Sequence, residues 1–232
     1  MLFDLDIDKS VRSGKRTFRL HVRFSSDSQR IVIFGSSGSG KSMTLKAIAG
    51  LIKPDSGHIR LDRSALFDSA AGIDLRPQAR QVAYLFQDYA LFPHLTVRQN
   101  IGFGLFGGLR NPPAGQQLEA VDYWLDAFHL DHLAHQYPAD ISGGQQQRTA
   151  LARALIARPR ALLLDEPFSA LDPGLRRKMR LELDELQRRL SVPMILITHD
   201  PEDADVFGDQ VLCLNDGRIV APQGTPEAEE AS

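Results

Sequence analysis

The stretch "RIVIFGSSGSGKSMTLKAIAGL", residues 30–51, is the one on which the fold turns. It opens with a short continuous apolar run after Arg30, as expected of a strand covered on both faces. It closes with Met43, Leu45, Ala47, Ile48 and Ala49 in a helix-forming run. Between them Gly35 to Ser42 match G-x-x-x-x-G-K-[ST]. Glycines let backbone N–H groups turn inward around phosphate oxygens, and the following helix N-terminus adds partial positive charge. The Lys41 ammonium would reach the terminal phosphates of a nucleotide, and the Ser42 hydroxyl would hold Mg²⁺. Strand, loop and helix make a βα unit, so the core is expected to be α/β.

Outward from this unit the pattern continues. Upstream, "FDLDI" and "TFRLHVRF" are short strands, the second with Phe18, Leu20, Val22 and Phe24 on one face and Arg19, His21 and Arg23 on the other. That alternation suits a half-buried antiparallel strand. "HIRLD", "QVAYLF", "ALLLD" (Ala161 to Asp165) and "MILIT" (Met194 to Thr198) read as further strands. Before "MILIT", Leu175, Met179, Leu183, Leu186 and Leu190 recur at helical spacing, with Asp172 as cap and Pro173 in the first turn. The roughly seventy residues between Phe86 and Ala161 lack a strand pattern but predict a helix over Gln116 to His135, with Leu118, Val121, Leu125 and Phe128 on one side. An inserted helical subdomain is expected there, with "GGLRNPPAGQQ" as a surface loop. The small, acidic tail "GTPEAEEAS" is expected to fray.

Composition narrows the classes of function. The 232 residues are 43% hydrophobic and 24% charged, ordinary globular values, with 27 basic against 29 acidic residues and a formal charge of -2. Such a balance offers no basic surface for a phosphate backbone, so nucleic acid is excluded as an expected partner. The single Cys213 permits no disulfide within the chain and reads as a buried strand residue. The start lacks a signal peptide's basic and apolar regions, and no window reaches the ~18 apolar residues of a membrane span. The chain reads as soluble and cytoplasmic.

Asp165 ends a buried strand, where a carboxylate needs a positive partner, and Mg²⁺ supplies one. Glu166, one residue on, is placed to accept a proton from the water that attacks a γ-phosphate. Gln87 and His199 likewise stand just past apolar strands, on the edge where open α/β sheets collect ligands. A second glycine-bearing segment, "ISGGQQQR" from Ile141, has Ser142 as N-cap of an Ala/Leu-rich helix, and its free N–H groups make a second anion site.

In this order and spacing, "GSSGSGKS", "FQDYALFPHLTVRQNI", "ISGGQQQR", "LLLDEPFSALD" and "ITHD" resemble the nucleotide-binding subunits of ATP-binding cassette (ABC) transporters, over nearly the whole chain. The resemblance implies a phosphate-loop NTPase core with a parallel sheet (1–87 and 160–232), an N-terminal antiparallel β subdomain and an inserted helical subdomain (about 88–159). It implies ATP and Mg²⁺ as cofactors. Gly35, Ser36, Ser37, Gly38, Ser39, Gly40, Lys41, Ser42 and Met43 would bind the nucleotide of one copy. Ser142, Gly143, Gly144 and Gln145 would close over the nucleotide of a second copy in an ATP-sandwich dimer. Ser42, Gln87 and Asp165 would attend the metal, Glu166 would be the catalytic base, and His199 would contact the γ-phosphate, with Gln87 as the switch glutamine. Ser169 to Asp172 would cross the dimer interface. Ile141 stands where leucine is commoner, a volume-conserving swap. Relatives usually stack adenine on an aromatic ring ahead of the phosphate loop. Here "KSVRSGKR" has none, leaving Arg12, by its planar guanidinium, or Phe18 as candidates.

"DYALFPHLTVRQNIGFGL" carries Tyr89, Leu91, Phe92, Leu95 and Phe103 in a region expected at the surface, either packing the helical subdomain on the core or lining a groove for a membrane-subunit helix. Its wording is similar to bacterial importers fed by a periplasmic binding protein, most like the molybdate type, with sulfate, iron and polyamine importers close. The implied partners are a second copy, integral permease subunits on the cytoplasmic side of the inner membrane and, indirectly, the binding protein. The C-terminal regulatory domain many such relatives carry is not expected here. Two other readings stay open: a soluble ABC-type clamp in DNA repair or cluster assembly, and an unrelated phosphate-loop kinase.

Overall fold

The computed structural model describes residues 1–14, 16–105 and 118–220. β1 (Phe3–Ser13) and β2 (Arg16–Ser26) form an antiparallel hairpin, followed by β3 (Arg30–Phe34) and α1 (Lys41–Ala49). β4 (Ser56–Leu61), β5 (Ser64–Asp68) and β6 (Ile73–Asp74) extend the hairpin as an antiparallel layer, and β7 (Val82–Leu85) returns to the core. Then come α2 (Val97–Gly102), α3 (Glu119–Ala127), α4 (Gly143–Ile156), β8 (Ala161–Asp165), α5 (Pro173–Leu190), β9 (Met194–Thr198), α6 (Pro201–Phe207), β10 (Gln210–Asn215) and β11 (Arg218–Val220). All strands join one sheet in the order β6-β5-β4-β1-β2-β11-β10-β3-β9-β8-β7.

The stretch from β10 to β7 is parallel, with β3 between β10 and β9. Parallel strands are buried on both faces, and alternate residues divide between two cores. Ile31, Ile33, Leu163, Ile195 and Ile197 pack with Leu45 and Ile48 of α1 and with the hairpin residues Leu5, Leu20 and Val22. Val32, Leu162, Leu164 and Leu196 pack instead with α4, α5 and α6 through Leu151, Leu155, Met179, Leu183 and Phe207. The expected α/β core is therefore present, and strand ends Phe34, Leu85, Asp165 and Thr198 all open on one edge of the sheet.

Between β7 and β8 the described residues hold helices and no strand, as expected, but the helix foreseen over Gln116 to His135 is shorter. α3 stops at Ala127, and His129 at φ 54 turns the chain so that Leu130 is fully buried. Tertiary burial of Leu130 and Ala134 overrides the helical run, while Val121, Leu125 and Phe128 form its buried face as read. Gln116, the foreseen loop over 107–117 and the acidic tail lie outside the described residues. α2 was not foreseen. Its signal is the capping box of Thr96 and Gln99. Of the two roles open to the run after Gln87, Tyr89 and Leu95 take the first and pack into the core, at 4% and 1% exposed. Phe92 and Phe103 stay half-buried, with ring centroids 4.3 Å apart. Cys213 is half-buried on β10 rather than fully enclosed.

Candidate nucleotide site

The site is built on the open edge of the parallel strands. Gly35 follows β3 so closely to β10 that a Cβ there would meet the Leu214 carbonyl oxygen at 2.2 Å. Gly40, the N-cap of α1, sits at φ 105, and a Cβ on it would strike Leu20 Cδ1 at 2.7 Å. Only glycine fits both demands. Gly38, at φ 84, faces open space, and with Ser36 and Ser37 it forms the exposed crest of the loop. Ser39 is 3% exposed and its hydroxyl has no partner among the described residues. No side chain caps α1, so its first N–H groups are left for a ligand.

Lys41 is 4% exposed, an unusual burial for an ammonium. Its Nζ donates to the carbonyls of Gly35 at 2.7 Å and Ser36 at 3.0 Å and lies 3.5 Å from Glu166 Oε1. Ser42 Oγ donates to Asp165 Oδ1 at 3.0 Å, and the Tyr84 hydroxyl donates to Asp165 Oδ2 at 2.6 Å. Burial first, and then the Asp165 carboxylate, pushes the Tyr84 hydroxyl well above its ordinary value, so it remains a donor. Glu166 sits at φ 46 with its N–H donating to the Ile197 carbonyl at 3.0 Å. That turn aims its carboxylate between Lys41 and His199, whose Nδ1 lies 3.1 Å from Glu166 Oε2. Gln87 is exposed and lines one cleft with Ser37, Gly38, Gly40, Lys41, Ser42, Met43 and Glu166.

The far end of that cleft is closed by Val11, Arg16 and Phe18. Val11 faces Phe18 across the hairpin and Arg16 lies two residues before Phe18 on the same strand, which places the three in one pleat series; Arg12 pairs with Thr17 one residue out of phase. Side chains alternate along a strand, so Arg12 belongs to the opposite face, and Arg16 takes the position considered for it. Phe18 keeps its candidacy, with its ring against Gly40.

A family model described as "ABC transporter" matches residues 21–169. The chain belongs to the ABC transporter family. A molybdenum import ATP-binding protein, ModC, of Paramagnetospirillum magneticum is 41% identical over 224 residues, 97% of this chain and 60% of that protein. The Fe(3+) ions import ATP-binding protein FbpC of Pseudomonas fluorescens is 48% identical over 216 residues, 93% of this chain and 55% of that protein. Proteins named for spermidine/putrescine and for sulfate/thiosulfate import also match. This chain thus spans little more than half the length of such relatives. Among solved structures, the dimeric post-hydrolysis state of the ATP-binding cassette MJ0796 bound to ADP and Pi matches with a TM-score of 0.77 at 28% identity, covering 95% of this chain and 97% of that one. The phosphate-loop α/β fold is therefore that of an ABC cassette.

In this ABC chain the second glycine segment lies apart from the first. Ser142 caps α4 by a reciprocal box: its N–H donates to Gln145 Oε1 at 2.8 Å, and its Oγ accepts from the Gln145 N–H at 3.4 Å. Gly143 and Gly144 let the start of α5 approach: a Cβ on Gly143 would lie 3.3 Å from Leu171, and one on Gly144 3.2 Å from Leu175. None of Ser142, Gly143, Gly144 or Gln145 lines the cleft that holds Lys41. Tyr84, through Asp165, and Arg16, on the wall of the cleft, are site residues that reading the sequence missed. The signal for Tyr84 is a phenol in a buried strand, which needs a hydrogen-bond partner.

Proposed function

We propose that this chain is the ATP-hydrolysing subunit of a binding-protein-dependent importer, acting as a pair of copies that close on ATP at the cytoplasmic side of a bacterial inner membrane. The observation that carries this reading is the separation of the two anion-binding helix tips: no residue of the Ser142 tip lines the cleft at Lys41. A second copy would bring its tip to this cleft. That the solved relative is dimeric supports a pairing of copies. The division into an ATP-binding core and a helical subdomain over about 88–159 belongs to this proposal.

Mg²⁺ suits the oxygen donors present: the Ser42 hydroxyl and the Asp165 carboxylate, 3.0 Å apart, with Gln87 lining the same cleft. Ser42 and Gln87 would hold it and Asp165 would attend it, and when bound it would neutralise charge on the β- and γ-phosphates. Lys41 exchanges its two loop carbonyls for phosphate oxygens, and the loop N–H groups cradle the chain. Glu166 orients water and accepts its proton, while His199, beside it, meets the γ-phosphate side of the cleft. Hydrolysis removes the charge that both helix tips grip, and the pair opens.

The permease subunits would rest on the half-buried Phe92 and Phe103 surface. Molybdate stands first as the transported solute because the molybdenum relative spans 97% of this chain. The iron relative, at the higher identity of 48%, favours Fe(III) as the second reading. Co-purification with a multispan permease, followed by solute-dependent ATP hydrolysis of the complex, tests the transport reading. Turnover that no permease or binding protein stimulates would favour a stand-alone cassette.

A further inference from the structure

Arg180 on α5 is 4% exposed, yet none of its contacts belongs to the nucleotide cleft. Its Nε donates to Asp203 Oδ1 at 2.5 Å and its Nη2 to Asp200 Oδ2 at 2.5 Å, with Nη1 on Glu202. One buried cation thus gathers three carboxylates from the first turn of α6 and its cap. The other oxygen of Asp203 accepts the Thr198 hydroxyl at 2.5 Å, and Thr198 Oγ1 in turn accepts the Asp200 N–H at 3.0 Å. Those two bonds bracket His199 from both sides. His199 itself is half exposed, and among the described residues its side chain's polar partner is Glu166. Its direction therefore depends on the backbone that carries it.

At the other end, α5 begins at Asp172, which caps it by accepting from the N–H groups of Gly174 and Leu175 at 3.1 Å. Arg176 joins the two ends: it donates to the Leu171 carbonyl and to Asp200 Oδ2, both at 3.2 Å. The segment Ser169 to Asp172, which the proposed pairing sets at the interface between copies, is thus tied by α5 to the turn holding His199.

We infer that Arg180 is a positioning residue: through Asp203 and Thr198 it fixes the backbone at His199 and links that residue to the loop before α5. The inference rests on the proposed role of His199 at the γ-phosphate. Arg180 and Asp203 are buried together, while Asp200 is half-buried and Glu202 exposed, and a hydrogen-bonded buried ion pair of this kind specifies one geometry.

The test is a double-mutant cycle on ATP hydrolysis by the purified full chain, read as kcat and KM. Arg180→Gln is expected to lower kcat by about tenfold to a hundredfold, the scale of a misplaced catalytic group, with KM for ATP within about twofold. In a His199→Ala background the same change is expected to have no further effect on kcat, because the residue it positions is gone. Thr198→Val removes only the linking hydroxyl and must show the same non-additivity, so it decides the matter if Arg180→Gln fails to fold. If the two losses multiply, Arg180 acts on the fold alone and the inference is overturned while the functional reading stands. Normal turnover in His199→Ala overturns both.

Discussion

Lys41 Nζ and Glu166 Oε1 lie 3.5 Å apart, a buried cation and a nearly buried acid facing each other where a triphosphate would enter. Each partly neutralises the other, and the lysine also donates to the Gly35 and Ser36 carbonyls. Under the proposed function a phosphate arriving here would take Lys41 and leave Glu166 free to address water.

Lys41→Ala is expected to weaken ATP binding at least ~30-fold, because removing one partner of a buried charge pair costs about 2–5 kcal/mol and strands the other. Titration with a fluorescent ATP analogue measures it. Unchanged affinity would remove the phosphate loop from the account.

Asp165→Asn should leave the fold intact but raise the Mg²⁺ concentration for half-maximal turnover at least ~10-fold, since the side chain that gathers the Ser42 and Tyr84 hydroxyls loses its charge. A Mg²⁺ titration of ATP hydrolysis reads this directly. A superimposable titration in the variant contradicts the metal assignment.

Tyr89 gives a prediction about alkaline stability. Burial pushes its hydroxyl from about 10 up to about 12, so the folded state holds that proton where the unfolded chain releases it. The contribution is fully present below pH ~10 and is lost as pH rises towards ~12. The melting temperature of the parent is expected to fall relative to that of Tyr89→Phe across that window, because only the parent has a buried phenol to ionise. A constant gap between the two curves would argue against the shift.

Much of this was legible in the amino-acid order. Gly35 to Ser42 declares itself because strand, glycine pattern and helix coincide, and Asp165 because an acid ending a buried strand demands a reason. Ser142 was legible as a cap through its partner Gln145. Other features depend on which strands become neighbours, and this is not local information. Arg12 and Arg16 are indistinguishable until the Val11–Phe18 register sets which face each occupies. Tyr89 and Leu95 stay divided between core packing and a groove because nothing nearby in the sequence shows that Asn100, itself fully buried, folds their loop inward through the carbonyls of Phe92, Leu95 and Thr96. The Arg180 cluster joins α5 to α6 across twenty-odd residues with no periodic signature.

The central claim is that ATP joins two copies, each lending its Ser142 tip to the other's phosphate loop. Glu166→Gln, which should bind ATP but hydrolyse it ~10²–10⁴-fold more slowly, isolates that state. Light scattering of this variant is expected to report twice the chain mass with ATP and Mg²⁺, and a return to the single mass when Ser142→Arg is added with ATP still bound. A variant that holds ATP yet stays monomeric at high concentration, or a dimer indifferent to Ser142, would contradict the account.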